Sequence, residues 1–236
     1  MNIISVVLDA VFPRRCPVCH DIVPLGSGLI CFSCKDCFTK VRDPYCLKCG
    51  KKLRDASVAI CEQCTKNIQY FDEGRAVFEY DEYMRKSIYR FKYGGREEYA
   101  KYYANQINLE IGYKIKEWNA DCFIPIPIHK SRYKKRGYNQ AYLISRELSK
   151  LTGIPTRKNI IKREKNTLVQ KNLNAYERSN NLKNAFKITQ NEVKLQSAIL
   201  IDDIFTTGAT INAAAKVLKD AGIDKVYFVA LSIGKG

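Results

Sequence analysis

Eight of the ten cysteines in this 236-residue chain form two matched sets of Cys-x-x-Cys pairs. Eleven residues separate the two pairs of each set, and the second set repeats the first thirty residues further on. Two such pairs offer four thiolates, the tetrahedral ligand set that suits Zn²⁺. Segments this small cannot build a core, so metal binding must supply much of their folding free energy. We predict two structural zinc sites, with the ligands Cys16, Cys19, Cys31, Cys34, Cys46, Cys49, Cys61 and Cys64.

The spacing leaves the pairing of these ligands open. Consecutive pairs sharing one metal are simplest, but a crossed arrangement (first pair with third, second with fourth) also fits, and Cys37 could replace Cys34. An iron–sulfur cluster is an alternative that the even pairing disfavours. Cys16 to His20 also matches the haem-attachment pattern, but the three sister pairs lack the histidine. We expect Cys122, which opens an apolar strand, to be an inert core residue.

A second feature is an acidic pair that follows an apolar run. Residues 198–201 lead into Asp202 and Asp203, and a helical pattern begins soon after them. Carboxylates accept hydrogen bonds from sugar hydroxyls or bind Mg²⁺, and a small-residue loop at a helix N-terminus can bind a phosphate. The segment therefore predicts a site for a phosphorylated sugar, with its phosphate on Thr206, Thr207, Gly208, Ala209 and Thr210.

The positive charge is concentrated in one part of the chain. The net charge is +16, and residues 129–183 hold 15 basic but only 3 acidic side chains. Cations interleaved with tyrosines suit sequence-tolerant binding of single-stranded DNA, although a small anionic ligand would also use some of them. The residues expected to contact nucleic acid are Lys134, Lys135, Arg136 and Tyr138.

Hydrophobic periodicity after residue 68 predicts an α/β domain. The basic segment 129–140 is expected to be a ligand-binding loop after a strand, with His129 as a polar contact. Residues 163–182 are polar and cationic and suit a mobile hood, or else a solvated loop. The predicted strands are 74–80, 121–128 (interrupted near Pro125 and Pro127), 184–188 and 224–232, and the predicted helices are 82–93, 96–117 and a helix ending near 152.

The break between the first two predicted helices is a further candidate ligand contact. Lys92 to Arg96 combines a helix end, a Gly-Gly turn and two cations next to a tyrosine.

The acidic segment resembles the 5-phosphoribosyl-1-diphosphate (PRPP) motif of type I phosphoribosyltransferases. Purine-specific members of that family typically have an aspartate where this chain has Thr206, which cannot accept a proton at neutral pH. The order of the cysteine pairs, Ile-Pro-Ile-Pro-Ile-His (124–129), Arg-Gly-Tyr-Asn-Gln (136–140), the Thr167 to Asn181 segment and the PRPP motif is similar to that of the ComF proteins.

The resemblance implies a type I phosphoribosyltransferase-like parallel sheet with flanking helices and a hood, preceded by a double zinc ribbon. The domains would be 1–68 and 69–236. It also implies that Asp202 and Asp203 bind ribose hydroxyls and Mg²⁺. His129, Lys130 and Arg132 would face the diphosphate, and Gln170, Asn172 and Arg178 would close from the hood.

Two functions from different classes follow. One is PRPP binding in natural competence, with single-stranded DNA and a competence helicase as partners and with transferase turnover left open. The alternative is a nucleobase or amine phosphoribosyltransferase of nucleotide metabolism without a DNA role. The first residues lack a basic leader and contain Asp9, so we expect no secretory signal, no membrane span and a cytoplasmic location.

Overall fold

A computed structural model describes residues 13–24, 26–164, 185–189 and 195–234. Its centre is a four-stranded parallel sheet in the order β1-β6-β5-β2, and β3 pairs with β4 in a separate antiparallel hairpin. The strands are β1 (Glu73–Glu79), β2 (Cys122–Pro125), β3 (Ile161–Arg163), β4 (Phe186–Ile188), β5 (Ser197–Phe205) and β6 (Lys225–Ile233). The helices are α1 (Glu62–Lys66), α2 (Glu82–Tyr93), α3 (Tyr99–Trp118), α4 (Lys130–Arg136), α5 (Gln140–Thr152) and α6 (Ala209–Asp220).

Alternate side chains of β5 pack against two different apolar clusters. We call residues 13–38 the first cysteine module and residues 44–66 the second. Ile199 and Ile201 join the cluster that contains residues of α2, α3, α5 and the first cysteine module. Ala198 and Leu200 join the cluster that contains residues of α6 and the second cysteine module. Because successive side chains of a strand point to opposite faces, the two cysteine modules lie on opposite faces of the sheet.

The first cysteine module and the segment after it are hydrogen-bonded to the sheet domain. The Tyr99 hydroxyl donates to the carbonyl oxygen of Cys16 at 3.1 Å, and Arg90 donates to that of Val18 at 2.8 Å. Between the two modules, the backbone at Lys40 forms an isolated antiparallel β-bridge with Phe78 of β1. This pairing covers part of an edge of the sheet. This part of the chain is therefore fixed to the sheet by buried and partly buried contacts.

Most of the predicted elements after residue 68 agree with the structure, but β3 was not predicted, and two predicted elements differ in type or extent. The basic segment 129–140 was expected to be a loop, but residues 130–136 form α4, which begins after the cap His129 and ends at Gly137 with φ +82°. The apolar strand continues through Asp202 and Asp203 to Phe205, because β6 pairs with it along its whole length. The predicted interruption near Pro125 and Pro127 is confirmed, because β2 ends at Pro125 and the Ile126 N–H still donates to the carbonyl oxygen of Ile201 just before Pro127.

Candidate functional site

The site begins at the carboxyl end of β5. Asp202 is partly exposed and Asp203 is buried, and the backbone N–H of Asp203 donates to Oδ1 of Asp202 at 2.9 Å. The Ser232 hydroxyl on β6 donates to the carbonyl oxygen of Asp203 at 3.2 Å. The two carboxylates are thus held by the central strands of the sheet, on a rigid support.

A cation from α2 neutralises part of this acidic pair. Nζ of Lys92 lies 2.5 Å from Oδ2 of Asp203, and both side chains are largely buried. Burial raises the pKa of Asp202 above its ordinary value, the neighbouring Asp203 carboxylate raises it further, and Lys92 opposes the rise. A divalent cation or a hydroxyl-rich ligand would relieve the same repulsion between the two carboxylates.

The loop after β5 is shaped by one glycine. Gly208 has φ +72°, a left-handed conformation that glycine adopts without strain. A Cβ atom there would lie 2.7 Å from Cζ of Phe205. The loop leads directly into α6, where the Asn212 N–H donates to the carbonyl oxygen of Gly208 at 2.8 Å. The first N–H groups of this twelve-residue helix face the loop, an arrangement that favours anions.

Three of the predicted diphosphate contacts follow the end of β2. Pro125 of β2 pairs with Ile201 of β5, so both strands end at the same edge of the sheet. His129 accepts a hydrogen bond from the Ser131 N–H at 3.2 Å and caps α4. Lys130 is exposed and Arg132 is partly exposed.

Arg163 is a site residue that the sequence did not predict. It ends β3, and its guanidinium lies over the Phe186 ring, 5.4 Å from the centroid. Burial lowers the pKa of Arg163, the charge of Arg132 lowers it further, and the Asp202 carboxylate opposes the change. The charges of Arg132 and Asp202 thus both act on the Arg163 guanidinium. The sequence signal was a lone arginine at the end of a short apolar strand, which is too common to be informative.

The Arg-Gly-Tyr-Asn-Gln segment joins α4 to α5 and to α2. Arg136 donates to Oε1 of Gln140 at 2.9 Å, and Nδ2 of Asn139 donates to the carbonyl oxygen of Ile126 at 3.0 Å. The Tyr138 ring is buried and its hydroxyl donates to the carbonyl oxygen of Phe91 at 2.6 Å. The expectation that Tyr138 stacks on nucleic-acid bases does not fit this burial, because its ring has no exposed face.

A neighbouring surface does combine exposed cations and rings. Lys134 and Lys135 are exposed on α4, and Tyr133 beside them is 54% exposed. Tyr93 of α2 is 45% exposed, and Nζ of Lys135 lies 5.3 Å from its ring centroid. Arg136 contacts the same ring, 4.9 Å from the centroid, and donates to the Tyr93 hydroxyl at 3.0 Å. We call Tyr93, Tyr133, Lys134, Lys135 and Arg136 the cationic tyrosine surface.

The cysteines form two groups of four, in the consecutive arrangement. Within each group all the sulfur atoms lie within 4.8 Å of one another. The sulfur atoms of Cys16 and Cys31, of Cys19 and Cys31, and of Cys49 and Cys61 are 3.6, 3.7 and 3.7 Å apart. Four sulfurs at about 2.3 Å from a tetrahedral zinc would be about 3.8 Å apart, so both groups fit zinc. The groups are Cys16, Cys19, Cys31 and Cys34, and Cys46, Cys49, Cys61 and Cys64.

The remaining cysteines lie outside both groups. The Cys37 thiol contacts the carbonyl oxygen of Ser33 at 3.8 Å instead of replacing Cys34. Cys122 is fully buried in β2, and burial raises the pKa of its thiol to about 12, which fits an inert core residue. The expected hood residues Gln170, Asn172 and Arg178 lie outside the described residues. Within the described part of the chain, no helix is long and apolar enough to cross a membrane.

Comparisons with known proteins found similarity to a family model, to curated relatives and to a solved structure. A double zinc ribbon domain matches residues 7–70. Competence protein F of Haemophilus influenzae is 31% identical over 226 residues, which cover 94% of this chain and 97% of that protein. Competence protein ComFC of Bacillus subtilis is 28% identical over 201 residues, covering 82% and 79%. A solved hypoxanthine phosphoribosyltransferase from Staphylococcus aureus covers 58% of this chain and 64% of its own, with 13% identity and a TM-score of 0.35.

The parallel sheet, its flanking helices and the cysteine-rich N-terminal region thus define an α/β protein with a double zinc ribbon, as the sequence predicted. The sequence identity to the competence proteins, and the share of the chain that it covers, also identify the family. The chain belongs to the ComF family of competence proteins.

Proposed function

We propose that this chain binds a 5-phosphorylated ribose, PRPP in particular, as part of DNA uptake in natural competence. The observation that carries the binding proposal is the acidic pair Asp202 and Asp203 near the end of β5. The Thr206 to Gly208 loop follows this strand and leads into α6. The competence role rests on the family relationship, in which two relatives are named competence proteins.

Each part of PRPP has a set of residues of suitable chemistry in this proposal. Asp202 and Asp203 accept hydrogen bonds from the ribose hydroxyls and hold Mg²⁺. Thr206, Thr207, Gly208, Ala209 and Thr210 bind the 5-phosphate through N–H groups and hydroxyls. His129, Lys130 and Arg132 face the diphosphate, and Arg163, whose charge interacts with that of Asp202, is a further candidate cation. Gln170, Asn172 and Arg178 remain proposed contacts from the hood.

Transferase turnover is a second, separable part of the proposal. An acceptor nitrogen would form a bond to C1 of the ribose while the bond from C1 to the diphosphate oxygen breaks, and the diphosphate would leave with both electrons. Cations around the leaving group stabilise this transition state. Thr206 cannot take a proton from an acceptor, so an acceptor that needs no protein base suits this site best. Turnover without any DNA binding would favour the alternative, a phosphoribosyltransferase of nucleotide metabolism.

Binding of single-stranded DNA is the other candidate function, and the cationic tyrosine surface favours it. Exposed lysines contact phosphates, and exposed rings stack on bases with little regard to sequence. This surface lies on α2 and α4, and Lys92, the last residue but one of α2, contacts Asp203. A DNA strand bound to this surface would therefore lie beside the proposed sugar-phosphate site, and a competence helicase remains a proposed partner.

A ligand series tests the binding proposal. Calorimetric titrations of zinc-replete protein with PRPP, ribose 5-phosphate and ribose, each with Mg²⁺, separate the contributions of diphosphate, phosphate and sugar. We expect the affinity to fall in that order and ribose to give no measurable heat. Equal affinities for all three compounds would contradict the proposal. Release of diphosphate during incubation with bases and amines then tests turnover.

A further inference from the structure

The second cysteine module meets the loop that follows β5 at a cavity of about 570 Å³. Its walls combine polar side chains of the module, and of the chain just after it, with the backbone of the loop. Polar side chains that line the cavity can therefore reach the backbone of the loop and form hydrogen bonds with it. The lining includes Lys51, Gln63, Asn67, Gln69, Thr206 and Thr207.

Gln63 joins the module directly to the loop. It lies on α1 between Cys61 and Cys64, two members of the second group of four cysteines. Its Nε2 donates a short hydrogen bond to the carbonyl oxygen of Thr207, 144 positions away in sequence. Its Oε1 accepts a hydrogen bond from Nζ of Lys51 at 3.1 Å. Since ammonium can only donate, Lys51 determines which end of the amide faces Thr207.

The segment after α1 is hydrogen-bonded to α6 beside the same loop. Oδ1 of Asn212 accepts from the backbone N–H of Tyr70 at 2.6 Å, and its Nδ2 donates to the carbonyl oxygen of Ile68 at 2.9 Å. Asn212 is in the first turn of α6, four residues after Gly208. The segment that directly follows the module therefore cannot shift relative to the start of α6 without breaking these contacts.

The hydrogen bond to Thr207 has a consequence for the next residue. In a trans peptide the carbonyl and the following N–H point in opposite directions. With the Thr207 carbonyl directed to Gln63, the Gly208 N–H is directed away from the module. A donor on the carbonyl also polarises the peptide and strengthens its N–H as a donor.

We propose that the second cysteine module is a positioning element for anion binding, in which Gln63 holds the Thr207–Gly208 peptide so that the Gly208 N–H is presented to a phosphate monoester. Cys61 and Cys64 place Gln63 through the metal that they share, and Lys51 orients its amide. The proposal rests on the proposed function. It predicts that metal bound by Cys46, Cys49, Cys61 and Cys64, but not metal bound by the other four cysteines, is coupled to phosphate affinity.

Two matched substitutions test it. Gln63→Glu keeps the size of the side chain but removes the donor to Thr207, because a carboxylate only accepts. Gln69→Glu makes the same change of charge at the same cavity, but Nε2 of Gln69 donates to the carbonyl oxygen of Asn67 in its own segment. Comparing the two variants therefore cancels the electrostatic effect of an added carboxylate.

The measurements are PRPP affinity with Mg²⁺, hydrogen exchange of the amides at 206–210, and zinc content. For Gln63→Glu we expect about tenfold weaker binding and faster exchange in the loop, with both zinc ions retained. For Gln69→Glu we expect less than about a twofold change in affinity. Equal affinities and equal exchange rates in the two variants would overturn the positioning role. If the wild-type protein binds no phosphorylated pentose, the proposed function fails, and the loop exchange rates alone then decide the role of Gln63.

Discussion

Nζ of Lys92 on α2 lies 2.5 Å from Oδ2 of Asp203 on β5, so a helix that follows the first strand neutralises an acid on the third strand in sheet order. Asp203 is 9% exposed, and a carboxylate so deeply buried needs a compensating charge. From the sequence, the Lys92 to Arg96 turn was a candidate ligand contact on general grounds. The ion pair gives Lys92 a definite place beside the acidic pair.

Removing Lys92 should therefore destabilise the folded protein. Lys92→Met leaves the Asp203 carboxylate buried without its partner, and we expect the free energy of unfolding to fall by about 1–3 kcal/mol. Urea denaturation of zinc-replete protein measures the change. Lys86→Met on the same helix is the control, because Lys86 pairs with Glu82 at an exposed site. Unfolding of both variants at the same urea concentration would contradict this role of Lys92.

Gly208 should tolerate no side chain. Gly208→Ala places a Cβ atom 2.7 Å from Phe205 in a left-handed conformation. The conformation costs about 1–2 kcal/mol, and the contact adds to it. Gly222→Ala is a matched control, since Gly222 has φ +91° but no atom within 4 Å of the added Cβ. Denaturation should show a larger loss of stability for Gly208→Ala, and equal losses would argue against the close approach of Phe205.

The number of bound zinc ions should depend on the two groups of four cysteines and on no other cysteine. Native mass spectrometry of purified protein should find two zinc ions in the wild type and in Cys37→Ser, because Cys37 lies outside both groups. Cys34→Ser and Cys64→Ser should each retain less than two. Of these, only Cys64→Ser should weaken PRPP binding at the loop, through Gln63. Loss of zinc from Cys37→Ser would contradict the assignment of Cys34, and not Cys37, to the first group of four cysteines.

DNA binding, if the cationic tyrosine surface carries it, should depend strongly on salt. The logarithm of the affinity for single-stranded DNA should fall linearly with the logarithm of salt concentration. In the double variant Lys134→Gln, Lys135→Gln the slope should decrease by about 0.7 for each DNA phosphate that the protein no longer neutralises. Lys116→Gln, an exposed lysine on α3, serves as the control. Fluorescence anisotropy gives the slopes, and an unchanged slope in the double variant would exclude this surface.

Local patterns predicted much of this architecture. The helix break at Gly94-Gly95, the strand before Asp202 and the two cysteine sets depend on residues close in sequence, whose periodicity and spacing can be read directly. The helix at 130–136 was missed because strong charge resembles a loop, although His129 and Gly137 are suitable caps for it.

Long-range contacts were beyond the reach of the same patterns. Gln63 and Thr207 are 144 positions apart, and no local pattern around either residue predicts that the two are hydrogen-bonded. Tyr138 looked available because cations surround it in sequence, but the turn at Gly137 directs its ring into the core against Phe91. Arg163 comes within electrostatic range of Asp202 only because β3 folds back onto the sheet domain. Such pairings depend on the assembled fold, where packing decides which polar residues remain exposed.

The central claim is that the end of β5 binds phosphorylated ribose through Asp202 and Asp203. Calorimetry with PRPP and Mg²⁺ should compare the wild type with the double variant Asp202→Asn, Asp203→Asn, and with Asp220→Asn, an exposed acid that pairs with Lys216. We predict saturable binding to the wild type and to Asp220→Asn, and at least about a hundredfold loss in the double variant, from two charge-assisted hydrogen bonds. Binding of equal strength to all three proteins, or to none of them, would contradict the claim.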